Sequence, residues 1–159
     1  MEQFLYDQDV SAQVVFTTTG DKVTFTPSQP IDVIGFGIIT DALLDVGAGM
    51  VLKLDHRPTA GSDSSRTDGL TPDGAASAQN LSTSTTDIVA GDFAYVIFTR
   101  PYEVDPGEQL VAEVTDAADT AGTGFIFLIY QKRPFQWKAT SANVPYDSRM
   151  SANGHDLTP

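Results

Sequence analysis

Most of this chain consists of short apolar runs separated by turn-forming residues. They are densest between residues 93 and 130, where three runs rich in β-branched and aromatic side chains cover residues 93–99, 109–115 and 124–130. The turn Asp105-Pro106-Gly107-Glu108 follows the first of them, with a proline that presets φ and a glycine that accepts positive φ. This pattern is typical of antiparallel strands joined by turns.

The same pattern along the whole chain predicts about eight strands, at residues 12–18, 22–26, 31–40, 49–55, 80–86, 93–99, 108–115 and 124–131. The first two are predicted to pair as a hairpin around Thr19-Gly20-Asp21. Gly35 and Gly37 lie on one face of the third, where a neighbouring backbone or an aromatic ring could approach closely. The predicted fold is all-β: an antiparallel β-sandwich, jelly-roll-like, with extended N- and C-terminal arms.

The length predicts one domain with three parts. Residues 1–11 are predicted to be an N-terminal arm, residues 12–131 the β-sandwich, and residues 132–159 an extended C-terminal tail. A long polar loop is predicted at residues 56–87, where the large apolar side chains are Leu70 and Leu81. Loops of this length are normally functional or disordered.

Acidic residues dominate the composition, with 21 Asp+Glu against 9 Lys+Arg and a net charge of -12. Such a surface repels nucleic acid and anionic membranes, so neither is expected as a partner. The simplest interpretation of the acidic surface is solubility. The alternatives are that it binds cations or that it keeps identical particles apart. The N-terminus lacks the pattern of a signal peptide, and no apolar run approaches the roughly 20 residues of a membrane span. A soluble chain made in the cytoplasm is expected.

The charge changes sign near the C-terminus. Residues 131–159 have a net charge of +2, from four basic and two acidic residues, whereas residues 1–130 have 19 acidic and 5 basic residues and a net charge of -14. Aromatic and arginine side chains dominate interface hot spots. The predicted partner-binding residues in the two arms are therefore Phe4, Tyr6, Arg133, Phe135, Trp137, Lys138, Tyr146 and Arg149. Two interpretations stay open: the tail wraps its own acidic body, or it docks on another subunit.

Catalytic and metal-binding chemistry has little support in this sequence. The chain has no cysteine, which excludes disulfides, thiolate zinc sites and cysteine nucleophiles. It has no Gly-x-Ser-x-Gly, His-Glu-x-x-His or P-loop motif, and its two histidines, His56 and His155, fall in predicted loops. Asp41 and Asp45 lack the spacing of a calcium loop. We therefore expect no catalytic residues, no metal and no cofactor, and a protein that is not an enzyme.

A set of strings between about residues 30 and 131 resembles the small, cysteine-free β-sandwich proteins of tailed-bacteriophage virions, in particular capsid decoration (cement) proteins. The strings are Ile-Asp-Val-Ile-Gly-Phe at 31–36, Lys-Leu-Asp-His-Arg-Pro-Thr at 53–59, Ala-Gly-Asp at 90–92, Val-Asp-Pro-Gly-Glu-Gln-Leu at 104–110 and Ala-Gly-Thr-Gly at 121–124. Proteins of this family typically sit as trimers at three-fold axes of the head, where extended arms clamp neighbouring capsid subunits.

The resemblance implies a structural virion protein on the capsid surface, synthesised in the host cytoplasm. Its implied partners are the major capsid protein and further copies of itself, as a homotrimer, and the arms are the implied contact elements. The alternative hypothesis is a carbohydrate- or host-surface-binding module. That module would need exposed aromatic rings, for which Tyr95, Tyr102 and Trp137 are the candidates.

Overall fold

The computed structural model describes residues 6–45, 47, 49–57, 69–70, 79–83, 87–119 and 121–133. These residues form nine strands and no helix, so the part of the chain described here contains no helix able to cross a membrane. The strands are β1 (Asp7–Val10), β2 (Val14–Val15), β3 (Gly20–Phe25), β4 (Ile31–Thr40), β5 (Val51–Arg57), β6 (Leu81–Ser82), β7 (Phe93–Val104), β8 (Gln109–Asp116) and β9 (Thr123–Lys132).

Two antiparallel sheets pack against each other, which confirms the predicted β-sandwich. The five-stranded sheet has the order β1-β9-β4-β7, and β2 also pairs with β9. The four-stranded sheet has the order β3-β8-β5-β6. This strand order is compatible with a jelly roll, and that finer assignment stays a prediction.

The core lies between the sheets and is built largely from alternate residues of the longer strands. Phe36 and Ile38 of β4 are fully buried, and the Phe36 ring meets Phe98 edge-on at 5.9 Å between ring centroids. From the four-stranded sheet, Leu110, Ala112 and Val114 of β8 enter the same core, since alternate residues of a strand share one face. Burial of these side chains is the main stabilising term of the sandwich.

The predicted first hairpin is wrong. β2 pairs with β9 in the five-stranded sheet, whereas β3 pairs with β8 in the four-stranded sheet. Phe16, which follows β2, explains the change of sheet because its side chain is fully buried between them. Its N–H donates to the Gly122 carbonyl, and its carbonyl accepts from Ala118 N–H. These contacts hold Phe16 in the core, so the chain crosses from one sheet to the other at this point. A hairpin would require both strands to lie in the same sheet.

The predicted N-terminal arm also needs correction, because Asp7–Val10 of the 1–11 segment is strand β1 on the edge of the five-stranded sheet. Its polar residues did not indicate a strand because an edge strand needs no apolar alternation. At the opposite edge, β7 continues through Pro101 to Val104, five residues beyond the predicted end. Proline is tolerated in an edge strand, where one side of the backbone has no partner strand.

The predicted polar loop at 56–87 contains residues of two strands. His56 and Arg57 complete β5, and Leu81–Ser82 is β6. Leu70 is fully buried, and its backbone N–H donates to the Leu54 carbonyl. His56 therefore lies in a strand and not in a loop. The two large apolar side chains of the segment are the points at which it joins the core.

Candidate binding surfaces

An apolar surface covers the outer face of the five-stranded sheet. Phe93, Tyr95 and Ile97 alternate along β7 and are 62%, 54% and 47% exposed. Strand pairing places them beside outward-facing residues of β4, β9 and β1. We call this surface the apolar face and define it by Val10, Ile39, Phe93, Tyr95, Ile97 and Phe127. A shallow groove of about 460 Å³ runs over it, with Gln8 and Gly91 at its margin.

Glycines in the central strand make the apolar face flat. A Cβ at Gly37 would lie 2.5 Å from Phe127 Cζ and 2.8 Å from Tyr95 Cβ. The side chains of β7 and β9 thus close over β4, and Phe127 is 7% exposed although it is on the outer face. The close approach predicted at Gly35 and Gly37 is confirmed. The rings of Phe93 and Tyr95 stack at 5.8 Å with an interplanar angle of 24°.

The opposite outer face, on the four-stranded sheet, is charged and polar. It carries Lys53 and Glu113, whose side chains form an ion pair at 3.3 Å. Lys53 also lies 3.6 Å from the buried carboxylate of Asp55, which accepts a hydrogen bond from Gly69 N–H at 2.5 Å. The exposed Thr24 of β3 belongs to the same outer face, since it pairs with Val111 opposite Asp55. The two faces of the sandwich therefore differ sharply in polarity.

The described part of the chain begins and ends at the same end of the five-stranded sheet. β1 begins at Asp7, which pairs with Tyr130, and β9 ends two residues later at Lys132. The Lys132 ammonium and the Asp7 carboxylate are 3.1 Å apart. The hydrogen bond and the charge of Asp7 raise the pKa of Lys132. Residues that precede β1 and follow β9 therefore start from neighbouring points.

Arg133 is the predicted contact residue whose surroundings are best defined. Its guanidinium donates to Glu103 at 2.9 Å and lies 2.9 Å from Asp32 and 3.5 Å from Asp105. Burial raises the pKa of Asp32, against the opposing effect of Arg133. Because this arginine binds acids of its own chain, it fastens the end of β9 to β4 and β7.

The other predicted partner-binding residues divide into two groups. Tyr6 immediately precedes β1 and is 56% exposed. The remaining residues lie outside the described part of the chain: Phe4, Phe135, Trp137, Lys138, Tyr146 and Arg149. Their assignment as contact residues stays a prediction.

A second concavity, of about 280 Å³, opens between the sheets beside β1. Its polar lining includes Asp9, Tyr130 and Lys132, and Tyr130 donates a hydrogen bond to Asp9 at 3.3 Å. Burial and then the charge of Asp9 raise the pKa of Tyr130. The carboxylate and the phenol bind each other, and Thr26, Ser28 and Gln29 add further polar groups to the lining of this cleft.

His56 joins the end of β5 to the turn before β8. Its Nδ1 lies 2.9 Å from the Tyr102 hydroxyl, and its Nε2 lies 3.0 Å from Glu108 Oε2. The same Glu108 oxygen accepts a hydrogen bond from Asp105 N–H at 2.8 Å. Both ring nitrogens of this 8% exposed histidine are thus engaged, which suits a structural tie better than a general base. Tyr102 belongs to this tie, so it is a poor candidate for a glycan platform.

The Asp41 carboxylate, at the opposite end of the sandwich from His56, predicts that the stability of the fold depends on pH. Asp41 accepts hydrogen bonds from the Thr123 hydroxyl, at 2.5 Å, and from the Gln13 side-chain amide, and these lower its pKa. A lowered pKa means stability that is present above the unfolded pKa, about 3.9, and lost as the pH falls through the folded value. We expect Asp41→Asn to melt below the wild type at pH 7, and the difference to shrink as the pH falls below about 4.

Melting curves at pH 7, 5 and 3 measure this effect, with Asp92→Asn as the matched control at an exposed aspartate. The control is expected to follow the wild type at each pH. A difference for Asp41→Asn that stays constant down to pH 3 would contradict the assigned role of the carboxylate.

Within the residues that the structure describes, no group of three or more acidic or histidine side chains is arranged to hold a metal ion. Comparison with protein-family models and with curated proteins finds no match.

Proposed function

We propose that this chain is a structural virion protein, which decorates a phage capsid and stabilises it by bridging major capsid subunits as a homotrimer. The observation that supports the proposal is that β1 begins and β9 ends beside the Lys132–Asp7 ion pair, so the N- and C-terminal segments start from neighbouring points. Both segments contain predicted contact residues, and both can reach one partner surface from that end. The acidic sandwich would then project from the capsid, and the proposed localisation is the virion surface.

A capsid decoration protein must bind at many equivalent positions and stay folded outside a cell, and the properties of this chain suit both requirements. A decoration protein binds at many equivalent positions, so modest contacts from two arms combine through their high effective concentration. The chain has no cysteine, so its stability outside a cell must come from packing and association. The continuous core between two sheets provides the packing.

Co-sedimentation tests this function. The full-length protein is incubated with expanded, DNA-free heads assembled from the major capsid protein encoded in the same phage genome. We expect saturable binding in multiples of three copies. Trp137→Ala is expected to weaken binding roughly 30-fold, as loss of an aromatic hot spot does. Thr24→Ala, on the polar outer face, serves as the control and is expected to bind as the wild type does.

Heads that pellet without the protein at saturating concentration would contradict the proposal. Binding that is unchanged in Trp137→Ala and in Phe4→Ala would contradict the role given to the arms.

A second candidate function is a carbohydrate-binding module, favoured by the stacked and exposed rings of Phe93 and Tyr95. Sugar rings bind flat aromatic platforms, but they also need polar groups at the margin. Gln8 and the Tyr95 hydroxyl are the side-chain polar groups of the groove. Pull-down on insoluble cellulose and chitin separates the two functions: retention that Tyr95→Ala abolishes would favour the module, and absence of retention would favour the capsid protein.

A further inference from the structure

We propose that the apolar face is the surface on which a second copy of this chain docks. The inference rests on the proposed function for its homo-oligomeric state and deepens it by naming the surface that joins the copies. It follows from four properties of the described residues: apolar residues on both sides of β7 and β9, absence of charge, area, and position at a sheet edge.

Apolar residues on both sides of the strands show that this sheet is suited to burial on both faces. In β7, Ala94, Val96 and Phe98 face the core side, while Phe93, Tyr95 and Ile97 face outward. In β9, residues 125–130 are all apolar or aromatic. Antiparallel strands with one face in water normally alternate apolar and polar residues, and continuous apolar runs are typical of strands covered on both faces.

β8 provides the contrast within the same molecule. Its core side carries Leu110, Ala112 and Val114, whereas Glu113 and Thr115 alternate with them on the outer side. On its outer side β8 thus has polar side chains beside the buried Val111, and none of its outer residues is an exposed apolar side chain. The difference between the sheets is specific to the outer face of the five-stranded sheet, so a general excess of apolar residues does not explain it.

The negative charge of the chain restricts where a second copy can dock. Two copies that each carry a net charge of -12 repel one another, and like charges buried at a contact cost several kcal/mol. None of the six residues of the apolar face is charged. It is therefore a surface through which two acidic copies can meet without bringing carboxylates together. A basic partner would instead be expected to select an acidic surface.

The area is sufficient for the centre of an interface. Val10, Ile39, Phe93, Tyr95 and Ile97 are between 38% and 62% exposed, which leaves on the order of 400 Å² at the 150–250 Å² typical of large side chains. One partner of a standard interface contributes about 800 Å², with an uncharged centre and a polar rim. The apolar face supplies such a centre, and Gln8 and Gly91 begin the rim.

The edge position adds backbone groups to the same contact. β7 is the last strand of its sheet, and within the described residues its ladder has β4 as its single partner strand. A sheet edge of this length is a site for pairing with another chain unless something covers it. A second copy on the apolar face would cover the side chains of β7 and lie beside this edge.

The test compares single variants of the full-length chain by sedimentation velocity over a concentration series. Tyr95→Asp and Phe93→Asp each place a carboxylate in the centre of the apolar face. We expect association weakened roughly 30-fold or more, because a central aromatic contact is lost and a like charge is introduced. Thr24→Asp adds the same charge on the polar outer face and is expected to associate as the wild type does.

Circular dichroism establishes that each variant is folded, and hydrogen exchange adds a second measurement. We expect the β7 amides to be protected in the wild type at high concentration and to lose that protection in Tyr95→Asp. Wild-type protein that stays monomeric over the whole series would overturn the inference. An oligomer that persists in both aspartate variants would also overturn the inference, whether or not the protein binds heads. Conversely, oligomers that the variants disrupt but that do not bind heads would uphold the inference and remove the capsid function.

Discussion

Phe36→Ala is expected to lower the free energy of unfolding by about 3–5 kcal/mol. Phe36 lies in the middle of β4, the strand between β9 and β7, and its side chain is fully buried. Its ring meets Phe98 edge-on, with an interplanar angle of 64°. Alanine would lose this contact and leave a cavity that two flanking strands prevent from closing. Urea unfolding followed by circular dichroism measures the change.

Phe93→Ala is the matched control, because it removes the same atoms from an exposed site. Phe93 is 62% exposed, so we expect a loss below about 1 kcal/mol at protein concentrations where the chain is monomeric. Equal losses for the two variants would contradict the assignment of core and outer face to opposite sides of the five-stranded sheet.

Gly37→Val is expected to destabilise the fold by about 3 kcal/mol or more. The first added carbon, Cβ, would lie within 3.0 Å of Tyr95 Cβ, Phe127 Cζ and the Ala94 carbonyl oxygen. The carbonyl belongs to the paired backbone of β7, so it cannot move without breaking the ladder between β4 and β7. We expect little folded protein, measured by thermal melting and by the soluble yield.

Ile39→Val is the control for Gly37→Val, two residues along the same strand and on the same face. Ile39 is 38% exposed, and the loss of one methyl group there should cost about 1 kcal/mol or less. A folded Gly37→Val protein with wild-type stability would show that the rings of β7 and β9 do not close over β4 as described.

Strand positions could be predicted from the sequence more reliably than strand partners. The alternation in 22–26 and the apolar run in 31–40 mark β3 and β4 because side-chain periodicity is a local property. The hairpin prediction failed because partner choice depends on Phe16, whose burial between the sheets is a tertiary contact. β1 was missed because an edge strand of polar residues carries no periodic signal.

The candidate surfaces show the same division. The apolar face was not predicted as a surface, although a signal was present: Phe93, Tyr95 and Ile97 alternate with Ala94, Val96 and Phe98. Apolar residues at both sets of positions indicate a strand covered on both sides. The tie between His56 and Glu108 could not be predicted, because it joins residues far apart in sequence. Arg133 was singled out for a partner, and the structure shows its guanidinium bound by acids of its own chain.

Cryo-electron microscopy of heads incubated with the full-length protein tests the proposed capsid function most directly. We predict added density at three-fold positions of the shell, three copies at each. The end of the sandwich where β1 begins and β9 ends should face the shell, and the apolar faces should lie within the contacts between copies. Heads that stay bare at saturating protein would contradict the capsid function. Bound copies whose apolar faces point to solvent would contradict the proposed self-association surface.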